Sequence, residues 1–334
     1  MNNESYQIFH AGDVALESGA RLSDARIAYR SFGTLNAAKN NAIIMPTHYG
    51  GTHEHSLYLT GEGRALDPDK YFIAIVNLIG NGVSSSPSDG LGADFPLVTI
   101  ADNVRLQHRL LTEEYGVTKL ALAVGFSMGA VQAYHWAALF PDFVERAGAI
   151  CGSAKISRHN VVFLDGMRGI LTADPAWKGG RYETQPLVGI RAMARAWAAW
   201  PPSAHFYRHA LYEKLGYTSL DDFLDRYWEA TFCSIDANNL LAQIATWQSA
   251  DISNNEIYQG DFERALASIK AKIFVMPCVN DAYFPPEDSE IEVSHMTNAE
   301  YRPIHSQWGH WAGSGRNPED TAFIDDQITE LLAQ

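Results

Sequence analysis

Residues 119–140 read KLALAVGFSMGAVQAYHWAALF, and their order decides the fold. The apolar run 120–124 has the length of a buried strand. It ends at Gly125-Phe126-Ser127-Met128-Gly129, and the pattern of an amphipathic helix, 130–140, follows at once. A serine between two glycines at a strand-to-helix turn is a nucleophile elbow, a turn so tight that flanking side chains would meet neighbouring backbone. The strained backbone lifts the hydroxyl clear of the sheet, and the helix N-terminus behind it favours developing negative charge. The pentapeptide alone is weak: with 26 glycines in 334 residues, G-x-S-x-G arises by chance in roughly one such chain in ten. Its position between strand and helix favours a catalytic serine over a glycine-rich turn.

On either side, short β-like runs alternate with helical ones. Strands are expected at 25–29, 42–45, 72–77, 120–124, 147–151, 273–277 and 301–304, and helices at 100–114, 130–140 and 320–332. Such alternation predicts an α/β fold, a mostly parallel central sheet with helices on both faces. The opening strands precede any helix signal and are expected to form an antiparallel edge. Between 154 and 269 the alternation stops, and stretches such as MARAWAAW and FLDRYWEATF read as helix after helix. A helical block between two strands of a parallel sheet is best explained as an insertion. Residues 1–153 and 270–334 are therefore expected to form the core, and 154–269 a helical lid over the C-terminal ends of the strands.

With 46% hydrophobic and 19% charged residues, the chain belongs among globular proteins. A formal net charge of −14 repels nucleic acid and anionic membranes, which argues against both as partners. Cys151, Cys233 and Cys278 are odd in number and widely spaced, so neither a disulfide framework nor a cysteine zinc site is suggested. The opening residues show no basic region followed by an apolar run, and no apolar stretch of about 18 residues occurs anywhere. A cytoplasmic location without a membrane span is expected.

A serine hydroxyl is a weak nucleophile at neutral pH; it needs a base, and the base needs an orienting acid. Behind an elbow of this kind the partners follow in the order acid, then histidine. Asp281, emerging from the apolar run 273–280, is the expected acid. The blander reading, a turn aspartate capping the next helix, suits Asp288 equally well. His310, in Gln307-Trp308-Gly309-His310-Trp311-Ala312-Gly313, is the expected base, because it lies between the last strand and the C-terminal helix. Its rivals His295 and His305 fall before or at that strand, and His135 lies on the elbow helix. The oxyanion hole should use the N–H of Met128 and a second from the loop Thr47-His48-Tyr49-Gly50-Gly51-Thr52, with Gly50 the favoured donor. His48, His53 and His55 are expected to shape that loop. No carboxylate pattern supports a metal, and no cofactor is called for. Gly80-Asn81-Gly82-Val83-Ser84-Ser85 lacks the third glycine of a dinucleotide fingerprint.

With these segments in place, the chain resembles the homoserine O-acetyltransferase family of α/β-hydrolase-fold proteins over most of its length. The resemblance is carried by 47–53, Leu78-Ile79-Gly80, Asp94-Phe95-Pro96, the elbow with Gln132 and Trp136, and ADPAWKGG at 173–180. Ile235-Asp236-Ala237-Asn238, Asp281 with Phe284-Pro285-Pro286, and Gly309-His310 complete it. It implies Ser127, Asp281 and His310 as a triad, a helical lid, and often a homodimer formed through lid helices. The departures matter as much. In that family an aspartate follows the catalytic histidine and helps hold the substrate's amino group; here Trp311 stands there. A lid Tyr-Arg pair, its arginine gripping the substrate carboxylate, is replaced after Arg195 by Ala196-Trp197-Ala198-Ala199-Trp200-Pro201-Pro202.

An amino-acid zwitterion needs paired charges in a desolvated pocket. Trp311 and Trp200 offer apolar surface instead, and Tyr49, Arg195, Trp200 and Trp311 are the expected substrate contacts. The expected function is hydrolysis of a small uncharged or apolar carboxylic ester, or an amide, through an acyl-enzyme on Ser127. The alternative passes an acetyl group from acetyl-CoA to homoserine or another small alcohol. A third reading, a non-catalytic binding protein on the same fold, would require a missing triad member, and all three are present in order.

Overall fold

The computed structural model describes residues 6–334. Its strands are β1 (Gln7–Ala15), β2 (Arg21–Phe32), β3 (Ala42–Pro46), β4 (Phe72–Val76), β5 (Leu120–Phe126), β6 (Arg146–Ile150), β7 (Lys272–Met276) and β8 (Ala299–Tyr301). They form one sheet in the order β1-β2-β4-β3-β5-β6-β7-β8. β2 runs antiparallel to β1 and to β4, and every other pair is parallel. The α/β class and the antiparallel opening edge thus agree with the sequence reading. From β3 the chain steps to β4, toward one edge; from β5 onward it steps toward the other. The C-terminal ends of β3 and β5 therefore flank the crevice where open α/β sheets bind ligands. Thr47 leaves β3 at that crevice, and Ser127 leaves β5 beside it.

All of β5 is buried, as a central strand covered on both faces requires. The helix behind the elbow, α2 (Met128–Leu139), differs from expectation. It is not amphipathic: Met128 through Ala138 are all buried, because α2 packs on β3, β5 and β6, is flanked by α1 (Ile100–Arg109) and is met by Tyr258, whose hydroxyl donates to Ala138 O. A helix buried all round must satisfy its own polar side chains. Gln132 Nε2 donates to Thr47 O at 3.0 Å, Gln107 Nε2 to Gln132 Oε1 at 2.7 Å, and Trp136 Nε1 to Gln107 Oε1 at 2.9 Å. The His135 ring pairs with Val131 O at 2.8 Å, which makes it a packed helix residue. The glutamine chain ties α1, α2 and the loop after β3 into one body.

Other boundaries moved for local reasons. β1 escaped the pattern reading because a bulge at Gly12, with φ +67°, breaks the two-residue alternation. The expected strand 301–304 lies earlier, at Ala299–Tyr301; Pro303 has no N–H to offer, and beyond β8 only Ile304 bridges, to Cys278. The first long helix ends at Arg109, and Leu110–Glu114 continue as a wider π turn. Between β6 and β7 lie α3 (Arg158–Thr172), α4 (Leu187–Trp197), several short helices and the helix Ala237–Gln248. Among the described residues no helix is long and apolar enough to cross a membrane.

The helix Pro286–Ser294 carries a buried acid, Glu292. Its Oε1 accepts the Ala154 N–H at 2.8 Å, while Oε2 and the Tyr134 hydroxyl are buried without a hydrogen-bond partner of normal geometry. Burial pushes its pKa from 4.5 up to about 8, because a dry site disfavours the charged form. The folded chain therefore holds a proton that the unfolded chain has lost across that interval. Stability is intact below the unfolded value and falls as pH rises through the window, on the order of a few kcal/mol in all. Glu292→Gln keeps the acceptor for Ala154 and removes the titration. Its melting temperature is expected to exceed wild type by several degrees at pH 8.5 and by little at pH 5. Thermal melts at both pH values check this; an equal shift at the two would refute it.

Candidate active site

Ser127 precedes the first residue of α2 with φ 58° and ψ −126°, a conformation only a rigid surrounding would hold. Its N–H donates to Ile150 O at 2.9 Å, anchoring the turn to β6. A Cβ on Gly125 would stand 2.3 Å from the Gly129 carbonyl carbon, and one on Gly129 2.5 Å from Pro46 O. Both glycines are therefore imposed by backbone meeting backbone. The carbonyl oxygen of Ser127 accepts from Ala130 and Val131 as the helix starts.

The elbow, the loop after β7 and the loop after β8 bring three buried side chains into line. His310 Nε2 lies 2.9 Å from Ser127 Oγ, and His310 Nδ1 lies 2.7 Å from Asp281 Oδ2. The carboxylate can only accept at Nδ1, so Nδ1 carries the hydrogen and Nε2 is free to take the serine proton. Asp281 Oδ1 accepts the N–H groups of Tyr283 at 2.7 Å and Phe284 at 3.1 Å, which fixes the carboxylate's rotation. The imidazole is wedged between Phe126, at 4.7 Å between ring centres, and Tyr283, at 4.8 Å. Its backbone N–H donates to Pro201 O at 2.8 Å, so the helical segment also holds the histidine loop. The rivals lie elsewhere. Asp288 sits in the first turn of the helix Pro286–Ser294, His295 ends that helix, and His305 is exposed. Cys151 approaches Asp281 and His310, with ligand atoms within 4.8 Å of one another. Burial pushes its thiol up, and both imidazole nitrogens are already engaged.

Met128 supplies a first-turn N–H that no carbonyl inside the helix can satisfy. The other expected oxyanion donor is corrected. The Gly50 N–H donates to Gln243 Oε1 at 2.9 Å, because the helix Ala237–Gln248 lays that buried amide against the loop. Gly50 lines the cavity, but its N–H is committed. His53 and His55 brace the loop: the His53 N–H donates to Asn77 Oδ1 and the Thr52 N–H to His55 Nδ1, each at 3.0 Å. Burial, and then neighbouring charge, keep His48 and His55 below the usual imidazole range.

Above Ser127 lies a cavity of about 110 Å³, small beside the roughly 300–1,000 Å³ of pockets for drug-sized ligands. Of the expected substrate contacts, Tyr49 and Trp311 line it. Tyr49 stacks on Trp197 at 4.6 Å and 12°, and Trp311 on Trp228 at 5.4 Å and 13°. Arg195 and Trp200 do not line it. Arg195 is exposed and paired with Asp225 and Glu229; two residues before Trp197 on a helix, it points about 200° away. Trp200 packs behind the wall against Phe163, His159 and Tyr283.

The sequence reading missed Trp197, Tyr227, Trp228, Phe232, Ile235 and Arg316 as cavity walls. For Trp197 a signal existed. Ile190, Met193, Ala194 and Trp197 share the buried face of α4 at the spacing of an amphipathic helix. For Arg316, far from the helical segment, no local pattern pointed inward. Its guanidinium lies 4.5 Å over the Trp311 ring and donates to the Tyr227 hydroxyl.

With this geometry in hand, comparison with known proteins adds the following. A family model described as the alpha/beta hydrolase fold matches residues 47–313. The chain is 40% identical to an ethyl acetate hydrolase of Pseudomonas veronii, across 99% of this chain and 97% of the relative. It is 32% identical to a homoserine O-acetyltransferase of Chloroherpeton thalassium, across 89% and 82%. Among solved structures, the acetyl esterase MekB superposes with a TM-score of 0.96 at 39% identity, across 100% of this chain and 98% of that one.

Proposed function

The chain belongs to the α/β-hydrolase fold family as a hydrolase of its esterase branch, and from that premise we propose that it cleaves small esters of short carboxylic acids through an acyl-enzyme on Ser127. The observation that carries the proposal is the unbroken hydrogen-bond chain Ser127–His310–Asp281, at 2.9 and 2.7 Å, beneath an aromatic cavity. Ser127 Oγ attacks the ester carbonyl as its proton passes to His310 Nε2. The imidazolium that forms is stabilised and held in place by Asp281. The Met128 N–H and the N-terminus of α2 meet the charge on the carbonyl oxygen. Collapse of the tetrahedral intermediate breaks the C–O bond to the alcohol, which leaves with the proton from Nε2. Water, deprotonated by the same nitrogen, then releases the acid. The segment between β6 and β7 acts as the lid, its tryptophans replacing solvent around the acyl group.

The size of the cavity favours a short acyl chain and a small alcohol, in line with the names of the relatives. One feature favours water over homoserine as acceptor: Trp311, lying against Trp228, offers no charge for an amino group. Purified protein should hydrolyse p-nitrophenyl acetate and ethyl acetate, while its consumption of acetyl-CoA should be no faster with homoserine present. Rapid acetyl-CoA turnover that requires homoserine would overturn this reading in favour of the acetyltransferase.

A further inference from the structure

Of the described residues lining the catalytic cavity, Arg316 alone is a permanent cation. Half-buried, it stands 4.5 Å over the Trp311 ring and 5.5 Å from the centre of the Tyr227 ring, whose hydroxyl accepts one of its N–H groups. Several arginines of this chain find acids: Arg195 pairs with Asp225 and Glu229, and Arg302 with Glu300 and Glu330. None of the ion pairs found among the described residues includes Arg316, although the chain carries 39 acidic residues against 25 basic ones. His48 and His55, whose rings feel its charge, are kept toward the neutral form first by burial, and among the described residues no carboxylate forms an ion pair with it. An apolar side chain could cover Trp311 without the cost of desolvating a charge. A guanidinium has five donors in a flat fork, and that fork matches a carboxylate.

We propose that Arg316 makes the catalytic cavity a binding site for small carboxylates. The inference rests on the reading of this cavity as the place where an ester is cleaved. The carboxylate has two sources, the acid released by hydrolysis or an acid group carried by the ester itself. Either would sit with its two oxygens on the guanidinium, between the Trp311 and Tyr227 side of the cavity and the Ser127 floor.

Binding is tested on the Ser127→Ala protein, whose residual turnover is too slow to consume ligand during a titration. Calorimetric titrations use sodium acetate and, separately, monoethyl succinate, with sodium chloride at equal ionic strength as control. Saturable binding, weakened about tenfold or more by Arg316→Gln in the same background and less by Arg316→Lys, is the expected result. Acetate binding of this kind identifies the product acid as the source; binding of monoethyl succinate alone identifies an acidic substrate. The proposal is overturned by binding that neither Arg316 variant weakens, by equal competition from chloride, or by no binding of either carboxylate. Melting curves for both variants show that they are folded, and the Lys variant alone decides if the Gln variant is not. Esterase assays on the wild type run separately. Arg316-dependent binding in a protein without ester hydrolysis would reject the proposed function and leave the carboxylate site standing.

Discussion

Ser127→Ala is expected to lower kcat for ester hydrolysis by about 10⁴–10⁶-fold, down to what the cavity and its dipoles supply unaided. The substitution removes one oxygen whose hydrogen-bond partner is His310 Nε2. Alanine meets the same positive φ as serine, so the strain of the turn is unchanged and the fold should survive, with a stability change within about 1 kcal/mol. Steady-state kinetics with p-nitrophenyl acetate, alongside a thermal melt, check both halves. A variant keeping a tenth of wild-type activity would mean that His310 activates water directly and that no acyl-enzyme forms. Wild-type protein trapped with a slowly deacylating ester should also gain the acyl mass on Ser127, and the variant should not.

Asp281→Asn is expected to cost about 10⁴-fold in kcat with a much smaller change in KM. The reason lies in which oxygen does what. Oδ1 is held by the N–H groups of Tyr283 and Phe284, so an asparagine must keep its oxygen there. Its NH₂ then faces His310 Nδ1, 2.7 Å away in the native pair. Two donors cannot share that contact, and the imidazole is driven to the tautomer with its hydrogen on Nε2. That nitrogen can no longer accept the serine proton. The geometry is preserved while the chemistry is lost, and a loss below tenfold would remove Asp281 from the proton path.

Ser127, Asp281 and His310 could be found in the sequence because the fold constrains each one locally. An elbow needs its glycines, and the acid and base must leave the sheet after later strands. Alternation of short strands with helices likewise identified the parallel core. What stayed hidden depends on contacts between distant segments. Trp200 and Arg195 lie near Trp197 in sequence, yet helix rotation and the packing of Phe163 and Tyr283 decide that Trp197 alone reaches the cavity. The engagement of Gly50 is set by Gln243, almost two hundred residues later. Arg316 reaches the site only because the loop after His310 folds back over Trp311. The partners of α2 were equally illegible, since nothing in residues 128–139 says which distant segments, α1 and Tyr258 among them, pack against it.

The helical segment between β6 and β7 also bears on inheritance. Ser127 comes from the chain before it and Asp281 and His310 from the chain after it, while Trp197, Tyr227, Trp228, Phe232, Ile235 and Trp247 all come from within. Much of the wall is thus written apart from Ser127, Asp281 and His310, although Tyr49, Trp311 and Arg316 are not. Most of the wall can drift, lengthen or be exchanged between lineages without disturbing the serine, the histidine or the aspartate.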